Sequence, residues 1–349
     1  VARAWVGDAL VAETRAAVRT DLVLWFPAAD VRDATHATPG DGGFYAFDDA
    51  ARVELVDGVT TKRWPTWGDA ADLLDILDVR PTEPGRFTSV VRGHSPRPVV
   101  EGSQMLGQAV VAAGRLAPGR RPVWASMAFS RVADATVPLD FELDEVASGR
   151  TMSTYAVDVA QRGRRVASGT VLLDVTAPDV VRHEPEPPDV PGPDGSEPFD
   201  MSVTGRDLRI VDGAYTGDPD APVGPPTLDA WVRFAAVPDD PYLHAGLLAQ
   251  FTGHLSIAAA LRPHAGIGQD AAHRTLSTAV NAITIAFHAD VRMDEWVLYH
   301  HRSTFAGDGM THAECRVHTE AGALVASFTV EAMVRGFADG TTGDEHRSL

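Results

Sequence analysis

The chain is poor in several things that would point to particular chemistries. It has one cysteine, Cys315, in 349 residues, so no internal disulfide is possible. Its neighbours, Glu314-Cys315-Arg316-Val317-His318, read as a strand, and a small side chain on a sheet is the expectation rather than a nucleophile. Basic residues are outnumbered, 30 Lys and Arg against 48 Asp and Glu, for a net charge of -18. That field repels phosphate backbones and disfavours a nucleic-acid partner. No apolar run reaches transmembrane length, and the start Val1-Ala-Arg-Ala-Trp-Val-Gly-Asp lacks the apolar stretch of a signal peptide. A soluble, cytoplasmic protein with no membrane partner is expected. Glycine-rich phosphate loops and nucleophile elbows are absent. His300-His301, His312 and His318 invite a metal, but adjacent strand residues point to opposite faces. No metal and no cofactor are expected, and surface histidines are the simpler reading.

What is present is a repeat. Trp124-Ala-Ser-Met-Ala-Phe129-Ser-Arg is followed by a turn, a strand and Val166-Ala167-Ser168-Gly-Thr. Ile283-Thr-Ile-Ala-Phe287-His-Ala-Asp is followed in the same way by Val325-Ala326-Ser327-Phe-Thr. The spacing between the two Phe residues and that between the two triplets differ by one residue. So long a period is not a solenoid repeat. It reads as a small domain duplicated and fused.

Residues 1–69 read as a small β-rich unit, with a hairpin at Gly7-Asp8 and strands at Leu22–Pro27, Gly43–Phe47 and Arg52–Val56. The first copy spans 70–175. Leu73, Leu74 and Leu77 give Asp69–Val79 a helical face, and Met105, Leu106, Ala109, Val110 and Ala113 do the same for Gly102–Ala113. Alternation through Tyr155-Ala-Val-Asp-Val-Ala-Gln marks a sheet with one wet face. Residues 176–226, dense in Pro and acids, form a linker in which Leu208–Asp212 adds a strand to a sheet edge. The second copy spans 227–337. Asp240 caps and Pro241 opens a long apolar helix, Tyr242–Leu261, with strands after it. Residues 338–349 form a frayed tail. Each copy is thus a long helix wrapped by an antiparallel sheet. The fold class expected is α+β, a double hotdog with a small N-terminal domain, its two sheets joined edge to edge.

Three stretches carry a family resemblance. Gly102-Ser-Gln104-Met-Leu-Gly107-Gln108-Ala109 resembles the Gly-Gly-Gln-x-x-x-Gln-Ala helix start of the acyl-CoA thioesterase II family. Trp231-Val-Arg-Phe-Ala-Ala-Val-Pro238-Asp239-Asp240 resembles the segment before its second helix. Phe287-His288, Asp294-Glu295-Trp296-Val-Leu-Tyr299 and Gly322–Ser327 match its closing sheet. The resemblance covers roughly residues 70–337. It implies hydrolysis of fatty acyl-CoA thioesters to free acid and CoA. The family's catalytic Asp and Thr or Ser positions fall here on Gly253 and Val280, and its Gln position on Val330, or on Glu331 if one residue is inserted at Phe328, so non-standard catalytic residues are expected. A shorter resemblance, through Trp25-Phe26-Pro27-Ala-Ala-Asp30-Val31, is to the domain of unknown function family 427; it implies a structural or docking module.

Thioester hydrolysis needs an activated water and donors for the developing oxyanion. His254, next to the vacant Asp position on an apolar helix, is the candidate base, with a buried structural histidine as the alternative. Glu331 is a candidate to orient His254 or the water, or else a surface charge. Asn281 is a candidate carbonyl donor or a turn residue. Glu101 is a candidate carboxylate base or a charge complementing the helix dipole. Gly102, Ser103 and Gln104 form a helix start suited to a thioester carbonyl, and Thr252 and Gly253 are further substrate-binding candidates. Arg131, Arg262 and Arg292 are candidates for the CoA phosphates. The expected partner is an acyl-CoA or another acyl thioester, with self-association into a homo-oligomer. A non-hydrolytic acyl-thioester binding protein and a hotdog dehydratase or hydratase are the other functions that this frame allows.

Overall fold

The computed structural model describes residues 2–337 except 21–22, 41, 49, 56–69, 93–98, 200, 202, 204 and 273–274. The expected tail and the expected boundary at 69 lie outside the described residues.

The N-terminal unit has its own small core around Ala4, Val11, Ala12, Leu24 and Phe26. Strand β1 (Ala2–Val6) turns at Gly7, where φ is +57°, into β2 (Ala9–Thr14). A residue with φ above zero favours glycine, as the hairpin reading of Gly7-Asp8 requires. Strands β3 (Val18–Thr20), β4 (Val23–Pro27), β5 (Ala37–Gly40) and β6 (Phe44–Phe47) form a four-stranded sheet, and β7 (Arg52–Leu55) pairs with β1.

The rest is built on one sheet of 13 strands. The first copy contributes helix α1 (Ala70–Leu77), the hairpin β8 (Arg80–Glu83) and β9 (Arg86–Thr88), helix α2 (Gly102–Leu116), and strands β10 (Arg121–Phe129), β11 (Asp140–Ser148), β12 (Met152–Gln161) and β13 (Arg164–Asp174). After β13 come β14 (Glu197–Pro198) and β15 (Arg206–Ile210), which pairs with β16 (Thr227–Phe234) at the sheet edge. The second copy continues with α3 (Pro241–Phe251), α4 (Ser256–Leu261), and β17 (Leu276–Phe287), β18 (Val297–Gly307), β19 (Met310–Thr319) and β20 (Leu324–Gly336).

The duplication is visible in the hydrogen bonds. Ser130 and Arg131 both donate their amides to the Val166 carbonyl, and His288 and Ala289 both donate to that of Val325. The copies join where β10 pairs with β17, from Trp124↔Ala286 to Ala128↔Ala282. Two edges that would otherwise be exposed are thereby paired.

The helices of both copies lie against this sheet and against each other. Every residue of α2 from Ser103 to Gly114 is buried, as is every residue of α3 from Leu243 to Phe251. Glycines let the two backbones approach. A Cβ on Gly107 would come within 2.6 Å of the Gly246 carbonyl oxygen, and one on Gly246 within 2.7 Å of Val111 Cγ2. A Cβ on Gly114 would overlap the Tyr242 ring, and one on Gly253 would collide with Ser103 Oγ. As numbers fall along α2 they rise along its partner, so the helices run antiparallel. The start of α2 therefore meets the end of α3.

One expectation needs correction. The segment Tyr242–Leu261 is not a single helix: it breaks between Phe251 and Ser256. Asp240 caps its start as expected, with Oδ1 accepting from the Tyr242 and Leu243 amides at 2.9 and 3.3 Å. At the break Thr252 turns its hydroxyl onto the Ala249 carbonyl at 2.6 Å, and Leu255 takes a left-handed φ of +66°. The sequence Thr-Gly-His-Leu has no Pro to announce this. Tertiary contacts hold it.

Candidate active site

The antiparallel helix pair brings Glu101, the residue before α2, to the end of α3. Glu101 Oε2 accepts a hydrogen bond from Gln250 Nε2 at 2.9 Å and lies 3.5 Å from His254 Nε2. Gln250 Nε2 and His254 Nε2 are 3.4 Å apart. The carboxylate belongs to the first copy; the amide and the imidazole belong to the second. Gln250 lies in the last turn of α3 and His254 in the break that follows it, so the break, not a continuous helix, brings the two side chains together.

The Glu101 side chain makes no capping bond to the helix it precedes. The first amides of α2 have no intrahelical acceptor and carry the positive end of the helix dipole. Gly102 lies beneath the Phe129 ring, and a Cβ there would come within 2.9 Å of it, so any larger residue would push the ring aside. Ser103 is buried, and its hydroxyl has no partner among the described residues. Gln250 Oε1 is likewise buried and unpartnered.

His254 is largely buried, with 14% of its side chain exposed. Burial pushes its pKa below the ordinary histidine value; the Glu101 charge opposes this and that of Arg206 adds to it. The imidazole is therefore neutral near pH 7. Arg206 reaches the neighbourhood from β15, its guanidinium 5.2 Å from the Phe251 ring centre, and that ring lies 4.8 Å from the His254 ring.

The other residues singled out in the sequence divide clearly. Gln104 lines a small cleft, partly open to solvent, whose walls include Ile76, Val90, Val137 and Leu139, with Ser89 and Arg92 as further polar groups. Thr252 uses its hydroxyl to close α3. Asn281 sits at a bulge in β17, between Val280↔Ala332 and Ala282↔Glu331, with its amide oxygen buried and unpartnered. By the β10–β17 register it lies level with Phe129, but no described hydrogen bond links it to His254.

Glu331 is a correction. On β20 Phe328, Val330 and Ala332 are buried, while Glu331 is exposed and pairs with His312 Nδ1 at 2.5 Å. Strand alternation sends it away from the helices, so it does not orient His254. The expectation of surface histidines also fails for His301 and His318, which are buried. His300 faces Asp229 at 2.6 Å on the side of the sheet opposite His301. Arg292 is held by Asp239 and Asp294, and Arg262 donates to the Thr227 carbonyl. With Arg131, they form no common anion site. Gln250 is the functional candidate that sequence reasoning missed; its closeness to His254 in the chain was the available signal.

The family model of the acyl-CoA thioesterase N-terminal domain matches residues 91–173, and that of the acyl-CoA thioesterase C-terminal domain matches residues 178–334. The chain belongs to the acyl-CoA thioesterase family. Acyl-coenzyme A thioesterase 8 of Mus musculus is 24% identical over 259 residues, covering 67% of this chain and 79% of the mouse protein. The human enzyme of that name is 24% identical over 268 residues. Among solved structures, a TesB protein of Mycobacterium avium subsp. paratuberculosis superposes with a TM-score of 0.65 at 24% identity, covering 76% of this chain and 98% of that one. Acyl-CoA thioesterase II TesB2 of Mycobacterium marinum gives 0.64 at 24% identity, with 76% and 99% covered. These likenesses extend the double hotdog fold to this thioesterase. The similarity to family 427 of the N-terminal unit has no counterpart among them.

Proposed function

We propose that this acyl-CoA thioesterase hydrolyses its substrate with a Glu101–His254 pair assembled from both copies, in place of the family residues that are missing at Gly253, Val280 and Val330. The observation that carries the proposal is the meeting of Glu101, Gln250 and His254 at the open start of α2. His254 is the general base. Glu101 and Gln250 face its Nε2, which leaves Nδ1 with no protein partner among the described residues. Nδ1 takes a proton from water as the water oxygen bonds to the thioester carbon. The carbonyl oxygen gains the negative charge and is met by the amides of Gly102 and Ser103 and by the Ser103 hydroxyl. The C–S bond then breaks, and the imidazolium returns its proton to the leaving thiolate. Glu101 stabilises the imidazolium in between.

Fatty acyl-CoA as substrate, a cytoplasmic setting, assembly into a homo-oligomer and a docking role for the unit at 1–69 belong to the same proposal. The single buried cysteine supports the second of these. Release of free CoA thiol from a panel of acyl-CoAs, measured for the wild type and for His254→Gln, is the test. General-base removal is expected to lower kcat by about 10²- to 10⁴-fold. Undiminished turnover by His254→Gln would remove His254 from the mechanism.

A further inference from the structure

The break between α3 and α4 puts His254 on a short stretch with unfavourable backbone geometry. Left-handed Leu255 costs on the order of 1 kcal/mol and persists only when its surroundings hold it. Two side chains of β18 do so from either side. Thr252 donates its amide to Ala249 rather than completing the helical bond to Leu248, so the Leu248 carbonyl needs another donor. Tyr299 Oη supplies it at 3.1 Å. Past the break, Ser256 Oγ at the start of α4 lies 3.2 Å from His301 Nδ1. Tyr299 and His301 stack, with ring centres 6.2 Å apart and planes at 15°. Phe328 packs edge-on against both. Phe251 bridges this stack to His254, 4.9 Å from the Tyr299 ring and 4.8 Å from the imidazole. Tyr299 and His301 are fully buried.

We propose that Tyr299 and His301 are positioning residues for His254: they pin α3 and α4 on the two sides of the break and so hold the imidazole against Glu101. The inference rests on the reading of His254 as general base. The charged and titratable groups that face His254 are Glu101 before α2, Arg206 on β15 and His301 on β18. Loosening the break moves the imidazole relative to all three and lets water in.

The experiment compares Tyr299→Phe, His301→Leu and His301→Asn with His254→Gln in the full chain, measuring kcat, KM, the pH dependence of kcat and Tm. Misplacing a catalytic group by about 1 Å costs up to about 100-fold, so Tyr299→Phe and His301→Leu are expected to lower kcat about 10- to 100-fold. KM stays within about twofold, because the start of α2 is untouched. The acid limb of kcat moves up towards the ordinary histidine value as burial is relieved. His301→Asn, which keeps a polar partner for Ser256, recovers part of the loss. Tyr299→Phe keeps the ring and its packing, so it reports even where His301→Leu does not fold. If the folded variants lose Tm while kcat and the acid limb stay at wild-type values, the role is only structural and the inference fails, with the base assignment intact. If His254→Gln itself is fully active, the base assignment fails and takes the inference with it.

Discussion

Ser103 excludes a side chain from Gly253 across the two copies: a Cβ on Gly253 would lie within 2.9 Å of Ser103 Cβ and closer still to its hydroxyl. The position where the family resemblance implies an Asp is therefore closed by a residue of the first copy. Gly253→Asp alone is expected to destabilise by about 1–3 kcal/mol through overpacking and to lower activity further. Adding Ser103→Gly removes the collision, and the double variant should recover most of the stability. Denaturant unfolding of the two single variants and the double one tests this, since strong non-additivity is the signature of two groups sharing one space.

Glu101 raises the proton affinity of His254 against the effect of burial. Glu101→Gln should therefore shift the acid limb of kcat to lower pH, because the neutral amide no longer stabilises the imidazolium. The weaker base should cost about 10- to 100-fold in kcat. A pH–rate profile from pH 5 to 9 reads both effects. An acid limb that stays in place would mean that the two groups do not communicate.

Stability should fall on acidification for a definable reason. Burial lowers the pKa of His244, His254, His288, His301 and His318, and that of His301 falls to about 3. Below the ordinary value of about 6.5 the unfolded chain takes up protons that the folded chain refuses, so acid favours unfolding. For His301 alone the loss is about 1.4 kcal/mol per pH unit until about pH 3, and the other histidines add to the upper part of that window. Urea unfolding at pH 7.5 and pH 5 should show the difference, and His301→Leu should flatten it.

Glu331→Gln should leave kcat unchanged and cost less than about 1 kcal/mol, since its partner His312 lies on the open face of the sheet. A large loss of activity would place Glu331 in the site after all.

Much of the architecture was legible in the chain. The paired Phe and Val-Ala-Ser motifs announced the duplication, and the shared amide bonds to Val166 and Val325 are its physical trace. Period-two alternation gave the strands, and Asp240-Pro241 gave the start of α3. The facing of Glu331 was not legible, because one residue of register reverses every side chain on a strand. Nor was the break at 252–255, whose geometry is imposed by Tyr299, His301 and Ser103 from elsewhere in the fold. The site itself lay in between. Glu101 and His254 were both nameable, but their meeting depends on how deeply α2 and α3 approach, and Gly107 and Gly246 set that from more than a helical turn away.

The hydrogen-bonded seam between β10 and β17 has a consequence for the chain connection between the halves. Because the halves already share a sheet and a helix crossing, the peptide connection that leaves β13 is not what holds them together. A chain cut there would keep its shape as a two-part complex, and neither part alone would contain both the carboxylate and the imidazole.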